Sequence, residues 1–262
     1  ELVFCVVHQR KIDDENEDEM KTNKRFAVLK AGTANPGARE RLGDCGEMFI
    51  SLLSEPGETW DIYDVEHGVF PADVSGYDGF LISGSRYSVY EDRPWIKKLL
   101  ELVREIHRRE IRLVGVCFGH QAVALALGGE VGLNPKGWDI GLKELTLTDA
   151  AKGLRSFKDV PNPTRILVSH MDVVTRMPDH ALRLAYSERT EFEMFTLGRS
   201  VLSLQGHPEY DGEVIGEIID LLSGLSILPS DRAAEGRASL NGHPHNVFFR
   251  DLLTGFLQGS DV

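Results

Sequence analysis

Apolar positions recur along this chain in two rhythms. Apolar runs of strand length occur at residues 26–29, 79–83 and 112–116, the pattern of buried strands, and 60–65 (WDIYDV) reads as a further strand. Between them the spacing becomes helical. In residues 41–53, Met48, Phe49, Leu52 and Leu53 fall on one face, and Pro56 and Gly57 mark the stop. Trp95, Ile96, Leu99, Leu100, Val103 and Ile106 do the same just before the 112–116 run. Strands alternating with helices of this length predict crossover units and a parallel sheet.

After Gly129 the texture shifts toward strands, with candidates at 143–147, 165–168, 183–187, 192–197 and 201–205. Residues 214–222 read as a helix, 223–242 as polar and irregular, and 247–257 as a last amphipathic helix that docks on the body. No repeat or low-complexity linker interrupts the chain. The expectation is an α/β fold, an open and mostly parallel sheet flanked by helices. Residues 25–222 form the domain, and 223–262 are a C-terminal helical extension packed on it.

Composition narrows the function classes. Of 262 residues, 42% are hydrophobic and 27% charged, without an uncharged apolar stretch of membrane-spanning length. Lys and Arg number 29 against 41 Asp and Glu, a net charge of −12. Such a chain repels duplex nucleic acid and shows no basic patch to offset this. Part of the acidity is local: Asp13, Asp14, Glu15, Glu17, Asp18 and Glu19 crowd together. That run repels itself and has no apolar surface to bury, so residues 1–24 are expected to be a disordered acidic tail. The opening residues 1–7 are apolar but lack a basic leader and a small-residue cleavage site, so no signal peptide is expected. Cys5, Cys45 and Cys117 are too few and too scattered for a disulfide framework or a zinc pattern. They suit a reducing compartment, where a lone thiol can serve as a nucleophile.

Three features bear chemistry. The first is Gly115-Val116-Cys117-Phe118-Gly119, between an apolar strand and a helix that turns Ala122, Leu125 and Ala126 inward. Glycines two residues either side of a nucleophile permit a turn too tight for side chains at those positions. The turn would present the sulfur at the carboxyl edge of the sheet, at a helix N-terminus that favours thiolate. The same residues also fit a buried structural cysteine between turn glycines. The second feature is His207-Pro208-Glu209, just past the 201–205 strand. A histidine there can reach a nucleophile on a neighbouring strand, with the carboxylate fixing its tautomer; a loop histidine fits too. The third is Gly84, ending the strand expected beside that of Cys117. Its N–H and that of Phe118 would make a two-donor oxyanion hole, and a plain turn glycine is the alternative.

Taken together, GFLISGS, GVCFGHQ (115–121) and QGHPEY (205–210) occur in the order of the class I glutamine amidotransferases, a family this chain resembles. Within it the likeness is to the plant γ-glutamyl peptidases, and it runs from about residue 25 to 257. It includes WDIYDVEHGVFP, KGWDIGLKELTL, SHMDVV and EMFTLG. After Ser85, where that pattern leads one to expect Pro, the chain has Arg86-Tyr87.

The resemblance implies a flavodoxin-like fold and a Cys117–His207–Glu209 triad. It also implies a small-molecule γ-glutamyl peptide as substrate, such as glutathione or its S-conjugates, and a cytosolic setting in the making of sulfur-containing defence compounds such as glucosinolates. Gln121, one helical turn after Cys117, would contact the glutamate moiety, and His170 and Asp172 would line the pocket rim. The resemblance implies neither cofactor nor metal. His120 is a rival base three residues from Cys117. His243 and His245 have no cysteine or acidic cluster beside them and read as a solvated loop. Gly128-Gly129 reads as a helix end, and no phosphate-loop motif exists. Two other functions compete: a glutaminase subunit feeding ammonia to a separate synthetase, and a non-catalytic binding protein. Oligomeric state is not set by the sequence.

Overall fold

The computed structural model describes residues 24–158 and 160–262. The acidic run expected to be a tail lies outside the described residues. The first half is a series of strands and helices: β1 (Arg25–Lys30), α1 (Pro36–Leu42), α2 (Cys45–Leu53), β2 (Thr59–Asp64), β3 (Gly79–Ile82), α3 (Pro94–Arg108), β4 (Arg112–Val116) and α4 (Phe118–Ala126). The strand-rich half follows with β5 (Glu130–Leu133), β6 (Asp139–Leu147), α5 (Asp149–Lys152), β7 (Thr164–His170), β8 (Asp172–Arg176), β9 (Leu182–Tyr186), β10 (Met194–Leu197) and β11 (Val201–Leu204). Three helices close the chain: α6 (Gly212–Gly224), α7 (Ser230–Ser239) and α8 (Asn246–Gln258).

Nine strands form one sheet in the order β2-β1-β3-β4-β11-β10-β9-β6-β7. The five from β2 to β11 run parallel, and their order is that of a doubly wound, flavodoxin-like sheet. The remaining four extend it antiparallel. β1 shows why the apolar run is unbroken. Phe26 and Val28 face a core shared with Phe49 of α2 and Phe249 and Leu253 of α8. Ala27 and Leu29 face the opposite core, with Ile96, Leu99 and Val103 of α3. Both faces of the central strands are covered, so alternation disappears from their sequence.

The structure revises three expectations. The helix expected over 41–53 is two helices, α1 and α2. Gly43, at φ 85°, ends the first, and Asp44 caps the second by accepting the Cys45 N–H at 2.9 Å. The stretch 223–242, read as irregular, holds α7. That helix has almost no apolar face, so periodicity is silent about it. Its position comes from a close approach of Gly236 to Ile140 and from Ser239 Oγ, which accepts the Leu142 N–H at 2.8 Å. β5 and β8, not foreseen, pair antiparallel as a separate two-stranded sheet. Among the described residues no helix is long and apolar enough to cross a membrane.

Candidate active site

The register of three neighbouring strands builds the site. Ile82 of β3 pairs with Gly115 of β4, and Leu204 of β11 pairs with Val116. Gly84 and His207 therefore approach Cys117 from opposite sides, each just beyond the carboxyl end of its strand. Cys117 has φ 53° and ψ −104°, a backbone conformation that side-chain-bearing residues rarely adopt. It is held there by its own N–H, which donates to Leu204 O at 2.9 Å, and by its carbonyl, which accepts the Gln121 N–H at 3.1 Å.

The flanking glycines are required. A Cβ on Gly115 would lie 2.6 Å from Gly119 O, and one on Gly119 would lie 2.2 Å from Ile82 O. Gly119→Ala is accordingly expected to push β3 away from α4 and to cost about 2 kcal/mol or more in stability. Thermal denaturation checks this, and an unchanged melting temperature would contradict the close packing.

His207 is buried, with its N–H donating to Leu167 O at 2.7 Å. Its Nδ1 lies 2.7 Å from Glu209 Oε1, so the ring donates to the carboxylate and turns Nε2 outward. Tyr210 stacks flat on the ring, with centroids 4.2 Å apart and planes 7° apart. A Cβ built on Gly84 would lie 2.9 Å from His207 Cε1, 3.8 Å from His207 Nε2 and 3.7 Å from Cys117 Cβ. Imidazole and thiol thus crowd around the same glycine. Burial works against charge on His207, but the Glu209 carboxylate and the Cys117 sulfur overcome it and raise its pKa to about 10. The rival His120 is buried with Nδ1 2.5 Å from Ser203 Oγ and Nε2 2.9 Å from Phe192 O, and burial lowers its pKa to about 3. Burial pushes the Cys45 thiol up to about 12, far from reactive.

The N–H groups of Gly84 and Phe118 have no hydrogen-bond partner among the described residues. Both flank the sulfur, as the first residue after β3 but one and the first residue of α4. Gln121 Nε2 donates to Asp172 O at 2.9 Å and to Gln205 Oε1 at 3.1 Å. His170 Nδ1 donates to the same Asp172 carbonyl at 3.1 Å, and burial lowers its pKa to about 4. The Asp172 carboxylate is turned elsewhere: it accepts from Ser88 Oγ at 2.5 Å and from Tyr90 OH at 2.8 Å. It ties the loop after Gly84 to the start of β8. Arg86 pairs with Glu66 at 3.0 Å, while Tyr87 packs on Trp95, which packs on Phe118.

Three contributors escaped the sequence reading. Tyr210 follows Glu209 directly, yet nothing in residue type announces the stack. Gln205 is a polar residue ending an apolar strand, a signal that was available. Glu193 pairs with Gln205 through its backbone carbonyl, which accepts the Gln205 N–H at 2.8 Å. It is wholly buried without a hydrogen-bond partner for either carboxyl oxygen, and burial raises its pKa to about 8.

The chain is similar to known proteins of one family. A family model described as "Glutamine amidotransferase class-I" matches residues 42–219. The chain is 36% identical over 241 residues to "Gamma-glutamyl peptidase 5" of Arabidopsis thaliana, covering 90% of this chain and 96% of that one. It is 34% identical over 242 residues to "Gamma-glutamyl peptidase 3" of the same plant, covering 90% and 97%. A crystal structure of a glutamine amidotransferase from Thermotoga maritima superposes with a TM-score of 0.66 at 23% identity, over 90% of this chain and 98% of that one, a likeness of fold.

Proposed function

The chain belongs to the class I glutamine amidotransferase family, and we propose that it hydrolyses the γ-glutamyl bond of glutathione, its S-conjugates or related γ-glutamyl peptides. The observation that carries this reading is the meeting of Cys117 and the His207–Glu209 pair around Gly84. The naming of the Arabidopsis relatives as γ-glutamyl peptidases supports the choice of bond.

The chemistry follows from the parts. Cys117 gives its proton to His207, whose charge Glu209 balances. The thiolate attacks the γ-carbonyl carbon, and negative charge gathers on the carbonyl oxygen. The N–H groups of Gly84 and Phe118 receive that charge, and removal of one such donor typically costs about 3 kcal/mol of barrier. The tetrahedral intermediate collapses as protonated His207 delivers its proton to the leaving amine. The shortened peptide departs and a glutamyl thioester remains on Cys117. His207, now neutral, takes a proton from water as the water attacks the thioester, and glutamate leaves with the thiolate restored. Gln121 and His170, converging on the Asp172 carbonyl, form the wall against which the glutamyl group rests. The two free cysteines of the described chain, Cys45 and Cys117, suit a reducing setting, the cytosol. Processing of glutathione conjugates toward sulfur-containing defence compounds such as glucosinolates is the fitting metabolic role.

Mass spectrometry of the purified chain with glutathione, two S-conjugates and glutamine tests the reading. Glutamate released from the peptides, with a covalent glutamyl adduct on Cys117, is the expected result. Ammonia released from glutamine with the peptides inert would instead identify a glutaminase subunit.

A further inference from the structure

A second polar cleft lies where the large sheet splits. β6 pairs with β9 through Thr146 and Leu147 alone. From Glu144 back to Asp139, β6 is paired with β7 on one edge and has no strand partner on the other among the described residues. The gap opens into a cavity of about 560 Å³, lined by Asp139, Leu142 and Lys143 on one side and by Ser187 and Arg189 on the other. None of the residues assigned to the Cys117 chemistry lines it.

The charges in this cleft are unusual for a structural ion pair. Asp139 is wholly buried. Lys143 Nζ lies 3.1 Å and Arg189 Nε 3.7 Å from its Oδ1, yet neither makes an aligned hydrogen bond. Both carboxylate oxygens and the Arg189 Nε–H are left without a hydrogen-bond partner. Lys143 also reaches Glu235 of α7 at 3.1 Å, and Arg189 donates to Lys136 O. Buried acceptors and donors in this state cost stability unless a further group completes them.

A simple anion entering here would meet Asp139, and a simple cation would meet Lys143 and Arg189. A molecule that carries an ammonium and a carboxylate on one carbon answers both, because the acceptors of Asp139 and the Arg189 Nε–H, each without a hydrogen-bond partner, lie side by side. We propose that the β6–β9 cleft is a binding site for a free α-amino acid, its ammonium on Asp139 and its carboxylate on Arg189 and Lys143. The cavity has room for a side chain of moderate size, with Leu142 offering apolar contact. The site also touches the reaction centre through the sheet: Asp139 is registered opposite His170, which bonds the same carbonyl as Gln121. The inference is independent of the γ-glutamyl reading, since it uses none of that machinery.

Isothermal titration of L-leucine into the whole chain is the test, with N-acetyl-leucine and leucinamide as probes lacking one charge each. Saturable one-to-one binding of leucine is expected, at least tenfold weaker for both capped probes. Asp139→Asn and Arg189→Gln should each weaken leucine binding at least tenfold, while Cys117→Ala should leave it unchanged. Thermal melts establish that each variant is folded, and if Asp139→Asn is not, Arg189→Gln together with the capped probes decides. Absence of saturable binding, equal binding of the capped probes, or full binding by the folded variants would overturn the proposal. None of these results bears on whether Cys117 cleaves a peptide.

Discussion

Cys117→Ala is expected to abolish turnover of γ-glutamyl peptides, with a loss of about 10⁴-fold or more in kcat and no glutamyl adduct. The size of the effect follows from the division of labour at the site. Without the sulfur no covalent intermediate forms, and His207 has neither a proton to take nor a thioester to hydrolyse. The N–H groups of Gly84 and Phe118 would still polarise a bound carbonyl, so a small residual rate over water is compatible with the scheme. The loss should come without unfolding, because alanine occupies the same space around Gly84 as the cysteine Cβ. Cys117→Gly makes the companion case. At φ 53° and ψ −104° the cysteine backbone is strained, and glycine relieves it. That variant should be as inactive as Cys117→Ala but more stable than it by about 1 kcal/mol. Steady-state release of glutamate, together with denaturant titration of both variants, checks the pair. Turnover within tenfold of the parent in either would remove Cys117 from the mechanism.

The legibility of this site in the sequence has a physical basis. Gly115 and Gly119 are dictated by clashes of 2.6 and 2.2 Å, so their spacing around Cys117 reports a backbone shape directly. His207 and Glu209 are two residues apart and need only a stiff link to bond each other. Strands buried on both faces gave the apolar runs of β1, β3 and β4, which made these elements visible. What stayed hidden depends on long-range packing or on polar contacts. α7 is fixed by Gly236 and Ser239 against β6, with no apolar stripe to reveal it. The break at Gly43 was masked because the apolar spacing of α2 continues plausibly back to Arg41. The Asp172 carboxylate looked equally suited to substrate or structure, and only the approach of Ser88 and Tyr90 assigns its bonds. The splitting of β6 from β9 has no sequence mark, since a strand edge left open in a cleft reads like any other half-buried strand.

Glu209→Gln is expected to lower kcat/KM by about 10⁴-fold and to change how both rate and stability respond to pH. In the parent protein His207 is charged up to about pH 10 despite its burial, because the Glu209 carboxylate and the Cys117 sulfur offset the loss of solvent. Unfolded, the same imidazole titrates near its ordinary value of 6.5. The folded protein therefore binds the proton more tightly than the unfolded chain. This contribution to stability is complete below pH 6.5 and is lost as the pH rises from there through about 10. An amide at position 209 can still accept the Nδ1–H bond, so ring orientation survives. It carries no charge, so burial regains its hold and the imidazole pKa falls. Two readouts should move together. The alkaline limb of the rate profile, set by loss of the protonated ring that serves the leaving amine, should shift to lower pH. The fall in melting temperature with rising pH should flatten over the same window. A merely structural role for Glu209 would lower activity while leaving both pH dependences parallel to the parent's. Parallel curves would therefore remove the carboxylate from the charge balance of the site and leave it only as the hydrogen-bond partner that orients the His207 ring.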